Sequence, residues 1–79
     1  MDKEMSLKNR DRLIQLGITI STFRKYRGLS QEQLAELAEV HRTTISAIER
    51  EKFFPTIDNA ARIANALNLT IAELFDFNF

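Results

Sequence analysis

The sequence predicts an all-helical domain, a compact bundle of five helices, and three observations carry that prediction. Glycine and proline are scarce, two and one among 79 residues, and no strand-like alternation occurs before Phe75. Apolar residues recur at helical spacing around Leu16, Leu34, Ile45 and Ile63. Ser30 with Gln33, and Thr70 with Glu73, each form the reciprocal capping box that opens a helix.

Taken in order, residues 1–8 are polar apart from Met5 and Leu7, and are expected to be a flexible segment that frays. The domain proper spans 9–75. Its first helix is expected from near Asn9 to about Arg27, burying Leu13, Leu16, Ile20 and Phe23. Gly28 suits a left-handed stop. Gly17 costs this helix up to ~1 kcal/mol against alanine, and a close helix crossing is the reason expected for it. Two short helices follow, Gln31 to Ala38 and Arg42 to Arg50, with Leu34, Ala35, Leu37 and Ala38 on the first and Ile45 and Ile48 on the second. Val40 is expected to plug their junction. After a linker from Glu51 to Pro55, Thr56 reads as the N-cap of a fourth helix whose core face is Ile57, Ala60, Ile63, Ala64 and Leu67. Asn68 suits its end, and Thr70 opens a short fifth helix ending near Phe75.

The tail, 76–79, continues from Phe75 with phenylalanine at every second position, which on an extended strand would place Phe75, Phe77 and Phe79 on one side. Two readings stand. One or two of the rings fold back to close the monomer core, or they form an exposed apolar strip used in dimerisation together with Leu69 and Ile71.

Composition narrows the function. A chain this short buries proportionately little surface, and a partner subunit is one remedy. Without cysteine, neither a disulfide framework nor a thiolate zinc site braces it, and no metal or cofactor is expected. No signal peptide and no apolar run of ~18 residues is present, so a soluble, cytoplasmic protein is expected. The formal net charge is +0, yet the charges are segregated. Basic residues crowd the first third and return at Arg42, Arg50 and Lys52, whereas Glu73 and Asp76 alone are charged beyond Arg62. Neutrality predicts weak non-specific attraction to any polyanion, with a modest salt dependence, not an absence of binding.

The stretch from Ser30 to Lys52, SQEQLAELAEVHRTTISAIEREK, reads as a helix-turn-helix whose second helix is polar on one side. Arg42, Thr43, Ser46, Ala47 and Arg50 face away from the apolar stripe. These are donors, small groups and methyls, the types that read base edges in a DNA major groove.

Leu16-Gly17, Arg24, Gly28-Leu29-Ser30-Gln31, Leu34-Ala35, Ile45-Ser46, Ile48-Glu49, Pro55-Thr56, Arg62-Ile63-Ala64, Ala66-Leu67 and Glu73-Leu74 stand in one register. In that register the chain resembles the Cro/phage-repressor-like helix-turn-helix family, the XRE type, of lambda-repressor-like DNA-binding domains. Within it, His41-Arg42-Thr43-Thr44-Ile45-Ser46 followed by Ile48-Glu49-Arg50 is similar to the recognition helix of restriction–modification controller proteins.

The resemblance implies a transcriptional regulator, repressor or controller, that binds double-stranded DNA as a homodimer. Arg42, Thr43, Ser46 and Ala47 match base-contacting positions, and Gln31, His41, Arg50 and Lys52 match positions near phosphates. Arg42 would fork onto guanine or simply hold a phosphate; Thr43 offers a methyl to thymine or a hydroxyl to a base or phosphate. Ala47 is a reader or a spacer, and Gln31, Arg50 and Lys52 are phosphate ligands or ordinary solvated side chains. His41 is expected at the N-cap of the recognition helix. Thr44 and Ile45 are expected to point toward the scaffold. Arg24 and Glu49 match a largely buried salt bridge that orients that helix.

Two departures stand out. The family often has glycine in the turn and again after the recognition helix, where this chain has Glu39 and Glu51. A left-handed backbone there costs a glutamate of order 1 kcal/mol relative to glycine, and Glu51 also repels phosphates.

Two rival classes remain to be weighed. His41 is the sole histidine, with no cysteine nucleophile, phosphate loop or ligand cluster beside it, so an enzyme is not expected. A protein-interaction module, such as an antitoxin built on the same fold, is the alternative. Repression needs only a covered promoter; activation requires contacts with RNA polymerase.

Overall fold

The computed structural model describes residues 3–76, with side chains from residue 10 onward. Five helices follow one another, α1 (Lys3–Tyr26), α2 (Gln31–Ala38), α3 (Arg42–Glu49), α4 (Ile57–Ala66) and α5 (Ile71–Leu74), and no strand occurs among the described residues. Helix α1 begins at Lys3 rather than near Asn9. Nothing in KEMSLKNR interrupts a helix, since it lacks glycine, proline and a capping break.

The core is assembled from every helix: Leu16 and Ile20 of α1, Leu34, Ala35 and Ala38 of α2, Ile45 and Ile48 of α3, Ala60, Ile63 and Ala64 of α4, then Leu67 and Leu74. Helix α2 lies between α3 and α4, α1 packs across α3, and α5 closes the end against α4 and α1. Both capping boxes form. The Ser30 hydroxyl accepts from the Gln33 amide at 3.0 Å while Gln33 accepts from the Ser30 amide at 2.8 Å. Thr70 and Glu73 repeat the arrangement at 3.0 and 2.9 Å, and hydrogen bonding from the Thr70 amide first, then from its hydroxyl, holds the Glu73 carboxyl below its ordinary pKa.

Four expectations of burial need correction. Leu37 is 59 % exposed and Ile57 73 % exposed, while Leu13 and Phe23 are half-buried. The covered strip of α2 is only as wide as Leu34, Ala35 and Ala38, and Ile57 opens α4 beyond the edge of the core. Of the two readings of the tail, Phe75 follows the one in which a ring folds back on the core. Its backbone (φ −102, ψ 17) is not extended, and its ring packs against the core with its centroid 5.7 Å from that of Phe54. Phe77 and Phe79 lie outside the described residues.

Four helices stop by the same device. Gly28, Glu39, Glu51 and Asn68 adopt left-handed backbones, with φ of 69, 56, 64 and 62°. In each case the left-handed residue's amide bonds the carbonyl three residues back, and the next amide reaches five back: Leu29 to Arg24 at 3.0 Å, Val40 to Ala35 at 3.0 Å, Lys52 to Ala47 at 2.8 Å, Leu69 to Ala64 at 2.8 Å. This is the Schellman ending, usually sealed by an apolar residue just after the left-handed one. Leu29, Val40 and Leu69 supply that seal and pack on the core. At the end of α3 the position belongs to Lys52, which is exposed.

Candidate nucleic-acid interface

Helix α3 is held against the scaffold along one side only. Ile45 and Ile48 are buried beneath it. At its C-terminal end α1 crosses so closely that a Cβ on Gly17 would lie 2.8 Å from the Ile48 carbonyl oxygen and 3.3 Å from that of Glu49. No ordinary side-chain carbon fits there, which accounts for glycine inside a long helix.

Beside that crossing Arg24 grips Glu49 with two parallel bonds, Nε to Oε2 at 2.7 Å and Nη2 to Oε1 at 2.9 Å. The side chains are 11 % and 7 % exposed. Arg24 Nη1 also donates to the Leu29 carbonyl at 2.8 Å, tying the end of α1 to the start of α2. The hydrogen bond with Glu49 raises the Arg24 pKa, desolvation opposes it, and the charge attraction adds to the rise. Gln31 Nε2 donates to Glu49 Oε1 at 3.1 Å. One amide hydrogen of Gln31 is thereby committed and the other remains available to an acceptor.

The N-terminal end of α3 is exposed. His41 caps it, with Nδ1 accepting from the Thr43 amide at 3.2 Å. Nδ1 also lies 2.7 Å from Thr43 Oγ1. An Nδ1 that accepts from the amide leaves the neutral ring with its proton on Nε2, and makes the Thr43 hydroxyl the donor in the shorter contact. The hydroxyl hydrogen of Thr43 is thus engaged within the cap.

The outward face brings together much of what the sequence anticipated. Arg42, Thr43, Arg50 and Lys52 are exposed, and Ser46 and Ala47 are half-buried on the same helix. Thr43, Ala47, Arg50 and Lys52 line a shallow depression of about 430 Å³, joined there by Thr44 and Phe53. Thr44 therefore does not simply point inward, being half-buried at the edge of this depression. Phe53 is the residue that sequence reasoning missed, because the linker holding it has no period to read. Arg42, Ser46, His41 and Gln31 do not line the depression. Among the described residues the side chains of Arg42, Arg50 and Lys52 have no hydrogen-bond or ion-pair partner. Glu49 is matched by Arg24, so the half-buried Glu51 is the acid that opposes them at this end of the helix.

Of the residues anticipated for dimerisation, Phe77 and Phe79 lie outside the described residues. Leu69 and Phe75 pack against the core, and Ile71 is 38 % exposed. Among the described residues no cluster of His, Cys, Asp and Glu could hold a metal ion, and no helix is long and apolar enough to cross a membrane.

Comparison with known proteins places this geometry. The HTH_3 helix-turn-helix family matches residues 20–74. The control protein C.SmaI of Serratia marcescens is 37 % identical over 59 residues, which make up 75 % of this chain and 70 % of that protein. The immunity repressor protein of Bacillus phage phi105 is 34 % identical over 59 residues, 75 % of this chain and 41 % of the repressor. Among solved structures, the restriction-modification controller protein C.AhdI from Aeromonas hydrophila superposes with a TM-score of 0.77 at 33 % identity, covering 80 % of this chain and 96 % of that one. The chain belongs to the HTH_3 family of helix-turn-helix proteins, whose members are DNA-binding transcriptional regulators and not enzymes.

Proposed function

We propose that the protein is a sequence-specific regulator that binds a roughly palindromic operator as a homodimer, in the manner of a restriction–modification controller. The observation that carries this reading is the face of α3, where cations without a partner among the described residues stand beside small groups on a helix braced from behind. Arg42, Thr43, Ser46 and Ala47 are the proposed base-contacting set, with Arg42 forking onto guanine O6 and N7. Gln31, His41, Arg50 and Lys52 are the proposed phosphate ligands. The free amide hydrogen of Gln31 and the Nε2 hydrogen of His41 suit that task.

One recognition helix reads only a few base pairs. A two-fold dimer doubles the readout and sets half-sites about 34 Å apart, one helical turn. Ile71, Leu69 and Phe75, with Phe77 and Phe79, are the proposed contacts between protomers. Regulation then follows protein concentration, through dimer formation and operator occupancy. Activation would additionally need a surface for RNA polymerase.

Selection from a random duplex library, followed at two salt concentrations, tests the proposal. Enriched two-fold half-sites at one-turn spacing are expected. Folded protein at micromolar concentration that enriches nothing would point instead to a protein-interaction role.

A further inference from the structure

Phe53 and Phe54 are neighbours in sequence with opposite fates. The Phe54 ring lies against Phe75, and Pro55 after it is buried, so that side of the linker belongs to the scaffold. Phe53 is 38 % exposed, lines the depression beside α3, and has no aromatic partner among the described residues. Around it stand the Ala47 methyl and the Thr43 side chain, whose hydroxyl hydrogen is engaged by His41 and whose methyl is the group left to offer. Arg50 and Lys52 border the same depression. An apolar step framed by cations fits a polyanion that carries an apolar group at its edge. In duplex DNA the major groove presents one such group, the C5-methyl of thymine.

We propose that Phe53 is a specificity-determining residue, packing with Ala47 and the Thr43 methyl against the C5-methyl of a thymine within each half-site. The assignment rests on the DNA-binding reading above and adds to it a base preference set from the linker rather than from α3 itself. The contact is a burial of apolar surface, so it discriminates by the presence of the methyl and not by hydrogen bonding.

The test runs parallel selections from a random duplex library with the wild-type chain and with Phe53→Ala, after thermal melting has compared the two folds. The wild type is expected to enrich thymine at one half-site position where Phe53→Ala shows no preference. On the wild-type selected duplex, replacing that thymine with uracil removes the methyl alone and should weaken binding about fourfold, the equivalent of one buried methyl group. Phe53→Ala should bind the thymine and uracil duplexes equally, and Phe53→Leu, which keeps an apolar side chain, should retain part of the difference.

Uracil substitution without effect on the wild type overturns the proposal, and this arm requires no variant to fold. An equal thymine preference in Phe53→Ala and Phe53→Leu overturns it as well. So does a loss in Phe53→Ala that is the same for both duplexes, which would place the ring on the sugar–phosphate backbone. Failure to enrich any duplex removes the DNA-binding reading and this inference together; an enriched operator with no methyl dependence removes the inference alone.

Discussion

The two ends of α3 are held by opposite means. At the C-terminal end a missing Cβ on Gly17 lets α1 sit directly on the carbonyls of Ile48 and Glu49, and Arg24 and Gln31 both fasten Glu49. The N-terminal end has an exposed histidine cap, followed at once by the exposed Arg42 and Thr43. One end fixes where the helix points, and the other is left open to a ligand. The side chains that form the clamp should therefore govern stability and DNA affinity together, while the exposed Arg42 at the open end should affect affinity alone.

The sharpest way to break this division is Arg24→Ala. It strands the Glu49 carboxylate in a mostly buried place, and a loss of about 3 kcal/mol is expected in denaturant unfolding, with DNA binding falling in step. Unchanged stability would mean the clamp is decoration and the contrast between the ends is false. Gly17→Ala should cost roughly 2 kcal/mol, because the added methyl meets backbone carbonyl oxygen rather than a side chain that can move aside. Its signature is a lowered Tm.

From the open end, Arg42→Ala should cost roughly 2 kcal/mol of operator affinity and relax one base position, with the Tm unaltered. A drop in Tm instead would assign Arg42 to the scaffold. Glu51→Gly should be a milder change and of opposite sign. It relieves a left-handed glutamate, raising stability by about 1 kcal/mol, and it removes a negative charge beside Arg50 and Lys52. Glu39→Gly relieves the same strain but also removes the exposed partner of Arg62 at 3.6 Å, so its gain in unfolding measurements should be smaller. Comparing the two variants on DNA separates the charge effect from the strain effect, since only Glu51 stands in the chain between Arg50 and Lys52, which line the depression beside α3.

What was legible in the sequence was whatever repeats or pairs locally. The capping boxes at Ser30 and Thr70, the Thr56 cap and the buried stripes of α1 and α4 follow from spacing alone. The Arg24–Glu49 bridge came from resemblance rather than spacing, since residues so far apart in sequence announce no contact. Leu37 and Ile57 were misplaced because periodicity says which residues share a face but not how far the neighbouring helices cover it. The left-handed state of Glu39 and Glu51 was open for a related reason. Glutamate is a poor residue there, and only the packing of the next element decides whether the chain accepts it. Gln31, expected on a phosphate or in solvent, carries no sequence sign of its link to Glu49, and Phe53 joins the face only through the fold of its linker.

Of the four Schellman endings, three are sealed by an apolar residue and one is not. Leu29, Val40 and Leu69 cannot change without opening the core, so mutational drift at those corners is penalised through folding. Lys52 occupies the equivalent corner and is exposed, outside the core. A lineage, or a protein engineer, can exchange that one side chain for arginine, serine or glutamate and retune the grip on a polyanion while the unfolding midpoint stays where it was. The unsealed stop is thus the adjustable joint of an otherwise fixed frame.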